Sequence, residues 1–253
     1  MSFRNITVAG GGVLGSQIAF QTAFSGFSVK IWLRSEDSIQ RTKPKLERLY
    51  TIYKNELTEA KKNLGKGLSF SRGLIPDSSS VTEADIDKLL ENVEKAHKEI
   101  QLTTDLSDAC KNADLIIESM AENPEAKREF YKAIDPFLSE NTIVATNSSS
   151  MVPSQFRDCL SRPENYLAIH FANNIWKSNT AEIMGHDGTS KEAYEAVANF
   201  ASEIKMIPLR LHKEQPGYIL NSMLIPFLSA GEMLLAKEVA DPATIDLTWR
   251  LGT

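Results

Sequence analysis

ITVAGGGVLGSQIAF, residues 6–20, places a short apolar run directly before a glycine-rich turn and a helix-like segment. The run at 6–10 is typical of a buried strand, and residues 16–26 are typical of a helix that stops at Gly26. A second apolar run, VKIWL at 29–33, follows that helix. Strand, helix and strand in this order predict a βαβ unit, in which helices cover a parallel sheet.

Apolar runs with strand character return further along the chain, at 114–119, 142–146, 166–171, 180–184 and 206–211. Helix-like segments separate most of them, at 124–138 and 189–204. This alternation predicts an α/β fold with a doubly wound Rossmann-type sheet. Residues 36–63 are charged and helix-periodic. The stretch 61–100 is predicted to be a helical elaboration outside the sheet, with a capping box of Ser80 and Glu83 before its helix.

A polar Pro-Gly segment, HKEQPG at 212–217, marks the predicted domain boundary. We therefore expect a dinucleotide-binding domain over 1–212 and the start of an all-helical second domain over 213–253. The first helix of that domain, 218–240, is apolar around nearly its whole surface, so we expect it to be buried in a core or against a partner subunit. One helix pair seldom buries itself, and the second domain is therefore expected to be truncated and incomplete.

The composition is that of a globular protein and argues against several functional classes. The chain has 253 residues, a net charge of −5 and 24% charged residues, so no basic surface suggests nucleic acid or an anionic membrane. Two cysteines are too few for a disulfide framework, and we predict no metal site. Neither a leader segment nor an apolar run long enough for a bilayer is evident, and we expect a cytoplasmic location.

The glycine-rich turn matches the pattern G-x-G-x-x-G at Gly10, Gly12 and Gly15, with Val13 and Leu14 between the last two glycines. The first glycine permits a tight turn, the second lets the backbone approach a pyrophosphate, and the third lets the helix pack closely on the strand. Because the motif follows a predicted strand and opens a predicted helix, it indicates a dinucleotide site.

The end of the second strand decides which nicotinamide cofactor fits. An acid at position 33 would bind the ribose hydroxyls of NAD, but the chain has Leu33 there, followed by Arg34 and Ser35. Arg34 and Ser35 could bind a 2′-phosphate, so we expect NAD or NADP and favour NADP slightly. The alternative is that Arg34 stacks on adenine or is a solvated charge, and that NAD still binds.

Three polar residues fall at or near predicted strand ends, where open α/β sheets bind their ligands: Ser149, His170 and Glu182. A single histidine in a strand is more often a satisfied core residue than a catalyst. The combination with a carboxylate and a serine on the cofactor's side of the sheet favours a catalytic site.

Six segments together resemble the 3-hydroxyacyl-CoA dehydrogenase family: GGGVLGSQIA, ESMAENPEAK, ATNSSSMVPS, IHFANN, AEIMG and PGYILNSMLIPFL. The resemblance runs through the whole chain apart from the elaboration, and the spacing of Ser149, His170 and Glu182 agrees with it. It implies that His170 is the general base in alcohol oxidation and the general acid in ketone reduction. It also implies that Glu182 fixes the imidazole tautomer, and that Ser149 and Asn221 bind the substrate oxygens.

The same resemblance implies further cofactor contacts from Glu122, Lys127, Asn147 and Asn173, on the ribose and nicotinamide side. Three of the implied residues also have a simpler interpretation that involves no ligand. Glu122 could be an ordinary acid at a helix start, Lys127 a solvated lysine, and Asn221 a buried amide satisfied by neighbouring backbone.

The segment after His170 departs from the usual acyl-CoA enzymes. Family members usually have His-Phe-Phe-Asn-Pro, whereas this chain has Ala172 and Asn174 in place of a ring and a proline, with Trp176 nearby. This segment is more similar to a subgroup that includes diketoreductase, which reduces ketones in substrates without CoA. Trp176 either lines the substrate pocket or packs within its loop, and both alternatives stay open.

The resemblance implies an NAD(P)-dependent oxidoreductase that interconverts a 3-hydroxyacyl and a 3-ketoacyl group, and a homodimer formed through the C-terminal domain. Two alternatives within enzymes are a ketone reductase and a sugar-acid dehydrogenase of the gulonate type, both acting on substrates without CoA. The third alternative, from another class, is a non-catalytic dinucleotide-binding or structural protein.

Overall fold

The computed structural model describes residues 3–66 and 70–252, and a single eight-stranded sheet organises them. The strand order is β3-β2-β1-β4-β5-β6-β7-β8, and all neighbours are parallel except β6 and β7. The predicted doubly wound α/β fold is thereby confirmed. The strands are β1 Asn5–Ala9, β2 Ser28–Trp32, β3 Gln101–Thr103, β4 Leu115–Glu118, β5 Ile143–Thr146, β6 Tyr166–Phe171, β7 Thr180–Met184 and β8 Ile207–Arg210.

Helices cover the sheet and connect its parallel strands. They are α1 Val13–Phe24, α2 Glu36–Lys62, α3 Glu83–Glu99, α4 Leu106–Cys110, α5 Pro124–Ile134, α6 Lys191–Glu203, α7 Tyr218–Ala236 and α8 Pro242–Gly252, with short 3-10 helices at Asp135–Phe137, Pro153–Gln155, Arg157–Cys159 and Pro163–Asn165. The central strands β4, β5 and β6 are buried throughout. This burial explains their continuous apolar runs, which parallel strands covered on both faces require.

The elaboration predicted over 61–100 is more closely tied to the fold than its sequence indicated. Helix α3 buries Ile86 and Val93 against α1 and α2, and the chain after it enters the sheet as β3, a strand the sequence did not reveal. The predicted capping box at Ser80 and Glu83 is wrong by two residues. Thr82 caps α3, with its hydroxyl accepting from the Asp85 amide at 3.2 Å while Asp85 accepts from the Thr82 amide at 3.0 Å.

The antiparallel pair β6–β7 matters most for the site. Its register sets His170 directly opposite Glu182, so that both side chains project from the same face of the sheet. The connection between the two strands is fixed from α1, where the Gln17 side chain accepts from the Asn174 and Ile175 amides at 2.9 and 3.4 Å.

Helix α7 is not buried in a core of this chain, and its expected burial against a partner subunit stays a prediction. Among its residues only Tyr218 is buried, and residues such as Met223, Ile225 and Leu228 are exposed. Helix α8 packs along α7 through the rings of Phe227 and Trp249, 4.2 Å apart, but a second helix alone cannot cover an apolar surface on every side.

By length and composition, α7 is also the one described helix that could cross a membrane, with a mean hydropathy of 1.5. This finding corrects the expectation that no apolar run is long enough. Core helices of soluble proteins satisfy the same two criteria, so length and composition alone do not establish a membrane span.

Candidate active site

The glycine-rich turn has the geometry that a pyrophosphate requires. Gly10 has φ of 117°, and a Cβ there would lie 2.4 Å from the Ser119 carbonyl oxygen. A Cβ on Gly15 would lie 2.2 Å from the Gly10 carbonyl oxygen, so the helix and strand pack too closely for a side chain. Gly12 instead faces open space and caps α1, whose first turn carries no acid. These residues fit a bound phosphate at the α1 N-terminus.

The two residues inside the motif have different environments. Val13 is 66% exposed beside the open face of the turn, whereas Leu14 is half-buried and packs against the main core. Val13 is therefore the more exposed of the two, and the cofactor contacts expected of both stay predictions.

The residues that follow β2 take on partly different roles from those expected. Leu33 is buried, and its side chain packs beside Gly11 of the glycine-rich turn. Ser35 caps α2: its hydroxyl accepts from the Ser38 amide at 3.3 Å and pairs with the Ser38 hydroxyl at 3.1 Å. Arg34 is exposed between them. The proposed contact with a 2′-phosphate therefore depends on Arg34, because the Ser35 hydroxyl already serves the helix.

A buried acid–base pair lies where β4 ends. Glu118 and Lys127 are both fully buried, with the Lys127 ammonium 2.6 Å from the Glu118 carboxylate. The Met120 amide, the Tyr131 hydroxyl and the Thr146 hydroxyl also donate to Glu118, at 2.7, 2.8 and 2.8 Å. Lys127 is therefore not the solvated lysine of the simpler alternative. Its implied contact with the cofactor stays a prediction, and in this structure its ammonium faces Glu118.

Glu122 lies between this pair and the loop after β5 that carries Ser148 and Ser150. Its carboxylate lies 3.8 Å from the Lys127 ammonium and accepts from the Ser148 and Ser150 hydroxyls at 2.7 and 2.6 Å. Burial alone would raise the pKa of Glu122, but the hydrogen bonds from Ser150 and Ser148 and the charge of Lys127 outweigh it and lower that pKa. The acid is thus held ionised just before α5, which Asn123 caps.

The two asparagines predicted on the cofactor side are placed differently. Asn147 is buried and joins three strand ends: its side chain accepts from the Phe171 amide at 3.1 Å and donates to the Ser119 hydroxyl at 3.3 Å. Asn173 is exposed just beyond β6. Asn147 therefore links the carboxyl ends of β4, β5 and β6, and the cofactor contacts implied for both asparagines stay predictions.

The catalytic residues suggested by the sequence meet in one hydrogen-bonded chain. The Glu182 carboxylate lies 2.9 Å from His170 Nδ1, and the Ser149 hydroxyl lies 3.1 Å from His170 Nε2. Because an ionised carboxylate can only accept, Nδ1 carries the proton and donates to Glu182. The lone pair of Nε2 is thereby directed toward Ser149, which is the arrangement a general base needs.

Helix α7 supplies the other partners of Glu182. The Ile219 and Leu220 amides, in the first turn of α7, donate to Glu182 Oε1 at 2.9 and 3.0 Å. Burial raises the pKa of Glu182, but hydrogen bonds from His170, Leu220 and Ile219 overcome that effect and bring the pKa below its ordinary value. Glu182 is therefore ionised and fixed on both oxygens.

The two remaining predicted residues, Asn221 and Trp176, have different environments. Asn221 follows Leu220 in the first turn of α7 and is half-buried, so it is not the fully buried amide of the simpler alternative. Trp176 is buried, with its ring 5.9 Å from that of Tyr53 in α2 and its carbonyl accepting from the Gly73 amide at 2.9 Å. This environment favours packing rather than an open position at the substrate site.

Sequence reasoning missed two residues of the site. Glu118 ends the apolar run LIIE, and a carboxylate at the end of a buried strand was the available signal. Tyr218 stacks on the His170 ring with centroids 4.3 Å apart and planes at 14°. No local pattern marks that contact, because β6 and the start of α7 meet only in the folded chain.

Comparison with known proteins identifies the family. Residues 5–215 match the family model described as "3-hydroxyacyl-CoA dehydrogenase, NAD binding domain". This chain belongs to the 3-hydroxyacyl-CoA dehydrogenase family. It is an oxidoreductase of that family with an NAD-binding Rossmann-type domain.

Individual relatives agree with this family assignment. The chain is 28% identical to human mitochondrial hydroxyacyl-coenzyme A dehydrogenase over 250 residues, 98% of this chain and 71% of that protein. It is likewise 28% identical to 3-hydroxybutyryl-CoA dehydrogenase of Clostridioides difficile over 247 residues, 98% of this chain and 77% of that one. Both relatives are named for CoA substrates.

Solved structures of the family also resemble this one. A diketoreductase described in "substrate-directed dual catalysis of dicarbonyl compounds" shares 40% identity with a TM-score of 0.84, covering 100% of this chain and 80% of that one. The (S)-3-hydroxybutyryl-CoA dehydrogenase of Ralstonia eutropha shares 25% identity with a TM-score of 0.73, covering 99% and 78%. The predicted resemblance to diketoreductase is confirmed. NAD is the cofactor these comparisons support, and they give no support for a preference for NADP.

Proposed function

We propose that this oxidoreductase interconverts a hydroxyl group and a ketone at the 3-position of its substrate, with His170 as the general acid and base. The observation that carries the proposal is the hydrogen-bonded chain Ser149–His170–Glu182–α7. In this chain His170 Nδ1 donates to Glu182, while His170 Nε2, beside the Ser149 hydroxyl, is the nitrogen that can exchange a proton with a substrate. The alternative of a non-catalytic protein is disfavoured, since nothing in a purely structural role requires this polar chain at the ligand-binding end of a sheet.

Each residue of the chain has a distinct part in the proposed reaction. In the oxidative direction His170 Nε2 accepts the substrate hydroxyl proton, and in reduction it returns that proton to the carbonyl oxygen. Ser149 and Asn221 orient the substrate oxygens, and Glu182 stabilises the imidazolium formed. A nicotinamide cofactor supplies the hydride chemistry when bound, and Gly10, Gly12, Val13, Glu122 and Asn173 are the residues proposed to hold it.

A substrate without CoA is the second candidate, and two observations favour it. The diketoreductase shares 40% identity with this chain, against 28% for the CoA enzymes compared above. The segment after His170 also differs from the acyl-CoA pattern, and Lys177 at its end is engaged by Glu56 at 2.9 Å. Glu56 in turn accepts from the Ser71 hydroxyl at 2.7 Å, so Lys177 and Ser71 are both engaged by an acid of this chain.

The test is the change in NADH absorbance with three substrates: a loss with acetoacetyl-CoA or ethyl acetoacetate and NADH, and a gain with gulonate and NAD. Turnover of acetoacetyl-CoA alone supports a CoA substrate, and turnover of the ester alone supports a ketone reductase. Turnover of gulonate alone contradicts an acyl substrate in favour of a sugar acid, whose own 3-hydroxyl would be the group oxidised. No turnover of any of the three, with NADH still bound, contradicts the catalytic proposal.

Cofactor choice has its own test at Arg34. We propose that NAD binds, and that Arg34 extends binding to NADP by pairing with the 2′-phosphate. Arg34→Ala is then expected to weaken NADPH binding about 3- to 10-fold, since the exposed pair is partly screened, and to leave NADH unchanged. Dissociation constants from nicotinamide fluorescence measure both. Equal weakening of the two cofactors means that Arg34 instead contacts the adenine or ribose they share.

We also propose that α7 and α8 contribute to a homodimer surface. The support is a groove of about 780 Å³ between them, with apolar residues such as Leu228, Val239 and Trp249 along it. Sedimentation velocity over a concentration series tests this, with Leu228→Glu expected to shift the population toward monomer. A monomer at every concentration contradicts it.

A further inference from the structure

Two consecutive residues before and at the start of α7 have left-handed backbone conformations. Gly217 has φ of 80° and Tyr218 has φ of 54°. Glycine adopts this region freely, but a bulky aromatic residue does so rarely and at a cost. Strain of this kind persists only where surrounding contacts impose it, and it concentrates at functional sites.

This turn contacts both residues of the His170–Glu182 pair. The Tyr218 ring lies flat on the imidazole, with centroids 4.3 Å apart and an interplanar angle of 14°. The next two amides, those of Ile219 and Leu220, donate to Glu182. A single turn thus fixes the plane of the histidine and the position of the carboxylate, although the two residues lie on different strands.

The hydroxyl of Tyr218 has no comparable role. It is buried, and among the described residues it has no hydrogen-bond partner. Burial first, and then the charges of Glu182, Glu122, Glu118 and Glu214, raise the pKa of Tyr218, so the hydroxyl stays protonated. A buried hydroxyl without a partner destabilises a protein, so the contribution of this residue comes from its ring.

We propose that Tyr218 is a positioning residue for the proton-transfer step, acting through its ring on His170. The ring blocks rotation of the imidazole out of line with Glu182 and Ser149. Its π face also lies against the ring that becomes positively charged when His170 takes the substrate proton, which is a favourable arrangement. This inference rests on the proposed role of His170. It also gives a reason for the left-handed conformation of Tyr218, which the hydrogen bonds to Glu182 alone do not explain.

The experiment compares Tyr218→Leu, which removes the aromatic face, with Tyr218→Phe, which keeps it. Tyr218→Leu is expected to lower kcat about tenfold with little change in the KM for NADH, since a ring pair contributes an effect of this size. Tyr218→Phe is expected to recover most of that loss, and without the unpartnered hydroxyl it should unfold at the same temperature or higher. An equal loss in both variants overturns the inference, because it assigns the role to the hydroxyl.

A spectroscopic signature separates positioning from general destabilisation. Protons of the His170 ring lie over the Tyr218 face, so ring current shifts their NMR signals upfield. The chain has four histidines, and His170→Gln identifies the relevant signals. The upfield shift should persist in Tyr218→Phe and disappear in Tyr218→Leu, with thermal unfolding and NADH affinity confirming that both variants are folded.

The outcomes distinguish this inference from the proposed function. If His170→Gln keeps turnover, the catalytic proposal and the positioning role both fail. If His170→Gln loses turnover while Tyr218→Leu keeps kcat within twofold of wild type, the positioning role alone is overturned.

Discussion

Two buried acid–base pairs lie at the ligand-binding end of the same sheet. We call Glu118–Lys127 the closed pair, because other residues of the chain bond to both carboxylate oxygens, and His170–Glu182 the open pair, because one imidazole nitrogen points to the proposed substrate site. Glu118 and Lys127 are both without exposed surface, and the pair is 2.6 Å apart. Glu182 and His170 are nearly as buried, and they are 2.9 Å apart. Burial and distance therefore do not distinguish a structural pair from a catalytic one.

The difference lies in where the remaining hydrogen-bonding positions are directed. Glu118 accepts from Lys127 and the Met120 amide on one oxygen, and from Tyr131 and Thr146 on the other. Burial first, and then the charge of Glu118, raise the pKa of Tyr131, which keeps that phenol a donor. Both Glu118 oxygens are thus engaged by partners within the chain, and neither is left for a substrate.

The second pair keeps one position for chemistry. Glu182 is saturated by His170 and the α7 amides, but His170 Nε2 is directed only toward the half-buried Ser149. The closed pair can contribute stability and orientation. The open pair, whose His170 Nε2 is not bonded to the carboxylate, can also transfer a proton.

The largest expected effect is on turnover at His170. His170→Gln keeps a similar volume and a polar group but cannot exchange a proton, so kcat should fall about 10²–10⁴-fold while NADH affinity stays within twofold of wild type. The matched control is His97→Gln, since His97 pairs with Glu47 on the surface, away from the sheet ends. A near-normal kcat in His170→Gln contradicts the assignment of the open pair to catalysis.

The closed pair should respond chiefly in stability. Lys127→Met leaves the Glu118 charge buried and uncompensated, which is expected to lower the free energy of unfolding by about 3–5 kcal/mol. Replacing both residues, as Glu118→Gln with Lys127→Met, removes the unpaired charge and should recover a substantial part of this loss. Denaturant unfolding measures both variants.

The double variant also tests the cofactor contact implied for Lys127. If stability recovers but NADH affinity does not, Lys127 reaches the cofactor in addition to pairing with Glu118. If Lys127→Met alone is as stable as wild type, the closed pair does not have the structural role argued for it.

A smaller effect is expected at Glu182, with a pH dependence whose sign follows from its lowered pKa. Glu182→Gln removes a charged partner of His170, so kcat should fall about 10- to 100-fold.

Because the folded-state pKa of Glu182 lies below its ordinary value of about 4.5, its contribution to stability is present above that pH and is lost as pH falls through the folded-state pKa. The stability difference between wild type and Glu182→Gln should therefore be constant above pH 4.5 and narrow below it. Thermal unfolding between pH 3 and 7 measures this difference, and one that widens on acidification contradicts the argument.

Much of this architecture is encoded in local sequence. The phosphate turn is recognisable from the glycine spacing between a predicted strand and a predicted helix, and Gly10 and Gly15 prove to have no room for a side chain. The buried strands are visible as apolar runs. His170 and Glu182 were both identifiable, but their direct opposition depends on the antiparallel register of β6 and β7, which no local signal specifies.

Features formed by distant segments were harder to predict from the sequence. The strand β3 has only three residues, too few for a periodic pattern, and it exists because β2 offers it an edge. The sequence left Trp176 either in the substrate pocket or packed within its loop, and only the fold shows that its ring lies near that of Tyr53. The exposure of α7 was not predictable from its apolar composition, since burial depends on which elements lie around it.

The smallest predicted effect concerns the Thr146 hydroxyl beside the closed pair, which donates to Glu118 Oε2 at 2.8 Å and accepts from the Ser148 amide at 3.1 Å. Thr146→Val keeps the shape of the side chain and removes both hydrogen bonds, while Tyr131 still donates to the same Glu118 oxygen. The free energy of unfolding should fall by about 1–2 kcal/mol, since one of several bonds to a buried charge is lost. Turnover should stay close to that of wild type, because the side-chain hydrogen bonds described for Ser149 and His170 are with each other and with Glu182. Thr51→Val is the matched control, as the Thr51 hydroxyl bonds only to the Glu47 carbonyl in its own exposed helix turn. A fall in kcat without a change in stability means that the network around Glu118 communicates with His170, and that the two pairs are not independent.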